Sequence, residues 1–244
     1  TLRGSISAER DWWDVNWYGI DISPDYMGKS LAGNVTLRFR VMAPGSRMQI
    51  DLQQPMQIDQ VVWKDKSIAF ERSGNVYYIN FPEQPVTGNL ETIIIEYSGK
   101  PVVAVRPPWD GGWIFSKDNL GRPWMSVACQ GLGASVWYPC KDHQSDEPDS
   151  AAISITVPDT LMAVANGRLR SAISRKPGTM SYTWAVTSPI NNYNIIPYIG
   201  KYTSWHENYN GLKGKLDCDY WVLDYSLIKA KKHFKQTDTL LNAF

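Results

Sequence analysis

The residues able to do chemistry are few, and their spacing limits what they can do. Three histidines occur, His143, His206 and His233, with three cysteines, Cys129, Cys140 and Cys218. Zinc hydrolysis on a helix needs H-E-x-x-H, two imidazoles one turn apart with a glutamate as base. The nearest approach is HENYN at 206–210, where Asn210 stands in place of the second histidine. Gly211 and Gly214 follow, so the segment does not read as a helix. His143 and His233 have no ligand partner at a useful spacing. The cysteines are too few and too scattered for a disulfide scaffold or a cysteine-rich zinc site. The chain itself is therefore expected to hold no metal. It also lacks G-x-S-x-G, the P-loop and G-x-G-x-x-G.

Two further groups invite a functional reading. Lys141-Asp142-His143-Gln144-Ser145-Asp146-Glu147-Pro148-Asp149 is the densest polar run. It reads as a solvated loop between strands, with a site rim or a calcium ligand set as the competing reading. EF-hand spacing is absent. The eleven tryptophans form the second group. Trp13, Trp63 and Trp184 fall within strand patterns and read as core. Trp109, Trp113, Trp124 and Trp137 gather around an irregular segment and Gln130, where they could line a cleft or stack on a sugar.

The elements that must position these residues are mostly strands. In Gly33–Ala43, Val35, Leu37, Phe39 and Val41 share one face, with Thr36, Arg38 and Arg40 opposite, as in a half-buried strand. Met48–Leu52, Ala151–Val157, Ser181–Thr187 and Lys215–Leu223 repeat the pattern. Pro44-Gly45, Ser73-Gly74-Asn75, Thr87-Gly88-Asn89, Asn166-Gly167 and Pro177-Gly178 punctuate it as turns. The expected fold is an all-β, saddle-like antiparallel β-sandwich. Gly99–Arg122, with Pro101, Pro107, Pro108 and the run PPWDGGWIFS, is too long and irregular for a hairpin loop and reads as functional. After Tyr225, Leu227, Ala230, Phe234, Thr237, Leu241 and Phe244 mark one helix face, with Ser226 as its N-cap. The reading divides the chain into a β domain over 1–224 and a helical segment over 225–244. An apolar face residue as the last position and a start without methionine suggest a piece of a longer protein.

Composition narrows the class further. The chain has 244 residues, enough for a large core without staples. Lys plus Arg number 25 against 24 Asp plus Glu, a net charge of +1 that gives no electrostatic reason to bind nucleic acid or an anionic membrane. No apolar run is long enough to span a membrane.

The block 111–169 resembles the N-terminal domain of the aminopeptidase N and leukotriene hydrolase family of zinc peptidases. The residues that carry the resemblance are Gly112-Trp113, Gln130, Pro139-Cys140, Asp146-Glu147-Pro148, the strand Ile153–Val157 and Ala165-Asn166-Gly167. Asp14-Val15, Tyr18, Gly33-Asn34-Val35-Thr36 and Ile50-Asp51-Leu52 extend it towards the start. It implies a β-saddle packed on a thermolysin-like catalytic domain, whose first helix would begin near Ser226 and whose zinc motif would lie beyond Phe244. It also implies that Gln130 binds the α-amino group of a peptide substrate, with Cys129 and Gly131 as its substrate-binding neighbours. Zinc is then a cofactor of the whole enzyme, the partners are the substrate N-terminus and the catalytic domain, and the setting is extracytoplasmic. Ser135 and Val136 stand where the family commonly has an arginine, and Ala128 replaces an upstream glutamine. Two rivals remain: a tryptophan-rich carbohydrate-binding sandwich, and a non-enzymatic relative serving as an interaction module. Gln130 itself has a plainer alternative, bonding to neighbouring loop backbone.

Overall fold

A computed structural model describes residues 4–212 and 214–243. The alternating runs form an eight-stranded sheet in the order Arg168–Ile173, Thr179–Val186, Ser150–Pro158, Trp13–Asp25, Ser30–Val41, Leu90–Gly99, Gln57–Trp63 and Lys66–Ser67. Every neighbouring pair is antiparallel except one. Trp13–Asp25 and Ser150–Pro158 run parallel, with Ile20 opposite Ile153. The all-β, mainly antiparallel architecture expected from the sequence thus holds, with this one parallel pairing inside it. A parallel pair needs a long crossover, and most of the β domain's chain lies between these two strands.

Three smaller sheets complete the β structure. Arg47–Asp51, Val76–Asn80 and Ala69–Ser73 form one, and Tyr202–Gly211 pairs with Gly214–Leu223 in another. The third runs Met162–Val164, Tyr198–Gly200, Pro123–Ala128 and Gly112–Lys117. One apolar core joins the first, the third and the eight-stranded sheet, through residues such as Phe39, Ile50, Ile95, Met125 and Ile153. Trp13, Trp63 and Trp184 are buried in it, as their strand positions require. Trp184 also donates from Nε1 to the Ala163 carbonyl at 3.0 Å, tying the large sheet to the four-stranded one. The HENYN segment lies on the strand Tyr202–Gly211, in keeping with its glycine flanks.

The polar run 141–149 departs from its reading as a solvated loop. Lys141 and Asp146 are buried and ion-paired. Lys141 Nζ donates to the Trp13 carbonyl at 2.6 Å, above the Trp13 ring, and Asp146 Oδ1 accepts from Val15 N–H at 3.2 Å. Buried charges persist only when paired and hydrogen-bonded, and the strand Trp13–Asp25 supplies those partners.

The helical segment is real but interrupted. Leu227–His233 and Thr237–Ala243 are α-helical, with 3₁₀ turns at Asp224–Ser226 and Phe234–Gln236. Ser226 is not an N-cap: its backbone is already αR and its side chain caps nothing. Lys229, Lys232 and Lys235 follow at i,i+3, a like-charge row that weakens a continuous helix. The tighter turn aims Phe234 at Trp205 and Tyr220, with ring centroids 6.1 and 5.5 Å away. Leu227, Ala230, Thr237 and Leu241 are half-buried along the face their spacing marks, while Phe244 lies outside the described residues. Arg122 fastens the segment to the four-stranded sheet by a bidentate pair with Asp224, at 2.9 and 2.6 Å. No helix among the described residues is long and apolar enough to cross a membrane.

Candidate functional site

Gln130 leaves the strand Pro123–Ala128 at a tight turn. The Cys129 carbonyl accepts from Leu132 N–H at 3.1 Å and Gly133 N–H at 2.8 Å, which closes the loop and leaves Gln130 exposed at its tip. Gly131 and Gly133 have φ of 70° and 81°, left-handed values that favour glycine. At Gly133 space is also required, because a Cβ would come within 2.3 Å of Asp142 Oδ2.

A buried polar network holds this loop from below. Asp142 Oδ2 accepts from Ser135 Oγ at 2.6 Å and from Ser135 N–H at 3.2 Å. Gln53 Nε2 donates to Ser135 Oγ at 2.9 Å and also to the Leu132 carbonyl. Asp142 N–H donates to Asp51 Oδ2 at 2.9 Å, and the same Asp51 is ion-paired with fully buried Arg10. Burial raises the Asp51 carboxyl to about 6, against the opposing pull of Arg10, the Asp142 N–H and Gln49. The Gln130 loop thus stands on a ladder of hydrogen-bonded and ion-paired groups running back to the first helical turn, Ala8–Asp11. Ser135, standing where the resemblance expects an arginine, is a central rung of it.

Above the loop lies a cavity of about 540 Å³. Trp109, Trp124, Tyr193 and Tyr198 wall it, with Ile114 and Ile196 among the aliphatic lining and Cys129 and Gln130 on one side. Trp124 is fixed by donating from Nε1 to Tyr202 Oη at 2.9 Å. Trp109, 80% exposed, sits on a turn closed by its N–H to the Arg106 carbonyl at 3.0 Å and by an Arg106–Asp110 ion pair at 3.2 Å. Trp113 and Trp137 do not line the cavity. Both are fully buried, which corrects the grouping of four tryptophans around a cleft. Trp113 pairs with Val127, three positions from Trp124, so those two rings leave opposite faces of the hairpin, a property of the pairing with no local signal.

Of the expected site residues, Gln130 and Cys129 line the cavity, while Gly131 turns the chain beside it. Burial pushes the Cys129 thiol up to about 12, with Asp142 adding to the shift, so it is a neutral apolar wall and not a nucleophile. The Gln130 amide bonds to a side chain, not to loop backbone: Tyr193 Oη donates to Oε1 at 3.1 Å. Tyr193 stands 63 positions away in sequence, on a 3₁₀ turn opened by Asn191, whose Oδ1 accepts from Tyr193 N–H at 2.9 Å. Asn192 anchors that turn by donating from Nδ2 to the Lys141 carbonyl at 2.9 Å. Sequence reasoning missed Tyr193. The available signal was the run Asn191-Asn192-Tyr193-Asn194, which favours an Asx turn and so an outward-facing tyrosine.

No protein-family model matches the sequence, and no curated protein sequence does. Solved structures do match in shape. An M1 zinc metallopeptidase from Deinococcus radiodurans superposes with a TM-score of 0.73 at 19% identity, over 90% of this chain and 49% of that one. A two-domain M1 zinc metallopeptidase bound to L-tryptophan matches with a TM-score of 0.74 at 20% identity, over 89% and 49%. The Deinococcus radiodurans enzyme bound to a Tyr-Ser-Ala substrate gives 0.73 at 19%, over 90% and 50%. The chain has the fold of M1 zinc metallopeptidases. It spans about half the length of the M1 structures it matches. The M1 fold accounts for the β-saddle with its trailing helical segment and bears out the architecture expected from block 111–169. Among the described residues no group of three His, Cys, Asp or Glu side chains is disposed to hold a metal ion.

Proposed function

We propose that this chain is the N-terminal, substrate-positioning domain of a zinc aminopeptidase that removes N-terminal residues from peptides. Residues 1–224 form the positioning domain, and residues 225–244 lead towards a thermolysin-like catalytic domain that holds the zinc. Zinc in such an enzyme polarises the scissile carbonyl and activates water. Among the described residues no group of three His, Cys, Asp or Glu side chains could hold that ion. An extracytoplasmic setting belongs to the same reading and rests on the resemblance alone.

One observation carries the reading: the exposed Gln130 side chain lines the aromatic cavity, with its amide oxygen held by Tyr193 Oη. Tyr193 occupies one lone pair of Oε1, and an amide oxygen has two. The second can accept from an α-ammonium, a charge-assisted hydrogen bond worth about 1.5–3 kcal/mol. The rigid ladder beneath the loop supports such a role, since a positioning group works only when its own place is fixed. A carbohydrate-binding reading would need a planar row of exposed tryptophans. Here only Trp109 and Trp124 line the cavity; six tryptophans are buried, and the half-buried Trp17, Trp205 and Trp221 pack against Arg38, Tyr220 and Trp184 respectively, in no shared row.

The test is Gln130→Ala in the full-length protein. Loss of that bond lowers kcat/KM on aminoacyl reporters by about 10- to 150-fold. Gln130→Glu retains or raises activity, because a carboxylate pairs better with an ammonium. An alanine variant within twofold of wild type leaves Gln130 an ordinary loop residue.

A further inference from the structure

We propose that the cavity beside Gln130 receives the side chain of the substrate's N-terminal residue and selects large apolar, above all aromatic, side chains. The proposal rests on Gln130 as the ammonium acceptor and adds to it the identity of the residue removed. Ammonium and side chain are carried by the same carbon, so an ammonium held at Gln130 Oε1 places the side chain's first atom two bonds away, beside the cavity that Gln130 lines. From there the walls are rings and aliphatic groups: Trp109, Trp124 and Tyr198 face the space, with Ile114 and Ile196 beside them. Among the described residues, no charged side chain lines it.

The space fits this occupant. About 540 Å³ is in the range of small-ligand sites, ample for an indole or phenol ring. Flat walls favour a flat guest, because aromatic pairs gain beyond the area they bury. A guanidinium or ammonium side chain would gain by stacking on Trp109, but no carboxylate in the lining replaces its lost water. A carboxylate side chain would gain neither. The Trp124–Tyr202 hydrogen bond fixes one ring of the wall, and the Arg106–Asp110 pair helps close the turn that carries Trp109.

The test compares 4-nitroanilides of Phe, Trp, Leu, Ala, Arg and Glu on the full-length protein. Phe and Trp reporters are expected to exceed Ala on the order of 10- to 100-fold in kcat/KM, the effect of burying a large apolar side chain. Trp109→Ala should cut the Phe-to-Ala ratio about 10-fold. It should barely move the thermal midpoint, because Trp109 is 80% exposed. Gln130→Ala should instead lower every reporter by the same factor. Selectivity that survives while Gln130→Ala is silent means that the amine-binding reading has failed and the pocket has not. An Arg reporter cleaved as well as Phe, or a Phe-to-Ala ratio untouched by Trp109→Ala, overturns the proposal. If no reporter is hydrolysed, calorimetry of phenylalanine amide against alanine amide reads the same preference. Equal affinities, or binding of cello-oligosaccharide in their place, overturn it.

Discussion

Ser135→Ala removes one hydroxyl from the ladder under the Gln130 loop and nothing else. Ser135 is fully buried, so no water replaces the lost group without rearrangement. Its Oγ donates to Asp142 Oδ2 at 2.6 Å and accepts from Gln53 Nε2 at 2.9 Å. Gln53 keeps the Leu132 carbonyl as acceptor, so its loss is partial. Asp142 keeps only the longer bond from Ser135 N–H at that oxygen, at 3.2 Å. A hydrogen bond to a charged group is worth about 1.5–3 kcal/mol. For a domain of this size each kcal/mol moves the thermal midpoint by about 2–4 °C, so a fall of roughly 3–12 °C follows. Urea unfolding should show a lower midpoint at an unchanged slope, since the folded surface is unaltered. Amide exchange should quicken first at Leu132 and Gly133, whose N–H groups close the loop. A midpoint within 1 °C of wild type would show that the network carries no load and that something else fixes the loop.

Tyr193→Phe frees the Gln130 amide to turn, and kcat/KM should fall about 2- to 12-fold, mostly through KM. In a Gln130→Glu background the same change should cost under twofold, because both carboxylate oxygens accept; an equal fall in the two backgrounds refutes an orienting role. His206 titrates above its ordinary value near 6.5, raised chiefly by its 2.7 Å hydrogen bond to Asp219, with Asp217 further off at 3.8 Å and Arg168 sharing the same Asp219. With the folded pKa raised, this contact contributes fully below pH 6.5 and is lost as pH rises through the raised value. Proton NMR of His206 should give a midpoint above 6.5, with exchange in Tyr202–Gly211 quickening over the same range beyond its intrinsic pH dependence. A midpoint at or below 6.5 contradicts it.

The strands were legible because a half-buried strand writes its burial into every second residue, as Val35, Leu37 and Phe39 do. The helix face was legible for the same reason at period 3.6. Its break at Phe234 was not, because tertiary packing against Trp205 and Tyr220 decides it. Lys141 and Asp146 read as solvated because their partners, the Trp13 carbonyl and Val15 N–H, lie far back in the sequence. The parallel pairing of Trp13–Asp25 with Ser150–Pro158 likewise has no local mark. At the candidate site, Gln130 came from a resemblance of motifs. Tyr193, which sets its geometry, came only from the folded chain.

The proposed function requires the Gln130 amide oxygen to pair with a substrate ammonium. Its most direct test is a double-mutant cycle in which the second change is made in the ligand. Phenylalanine amide and its desamino analogue, 3-phenylpropionamide, are titrated against the full-length protein and its Gln130→Ala variant. If the bond exists, removing the ammonium silences the mutation, and the cycle returns a coupling of about 1.5–3 kcal/mol. A coupling indistinguishable from zero, with both ligands weakened equally or not at all, contradicts it.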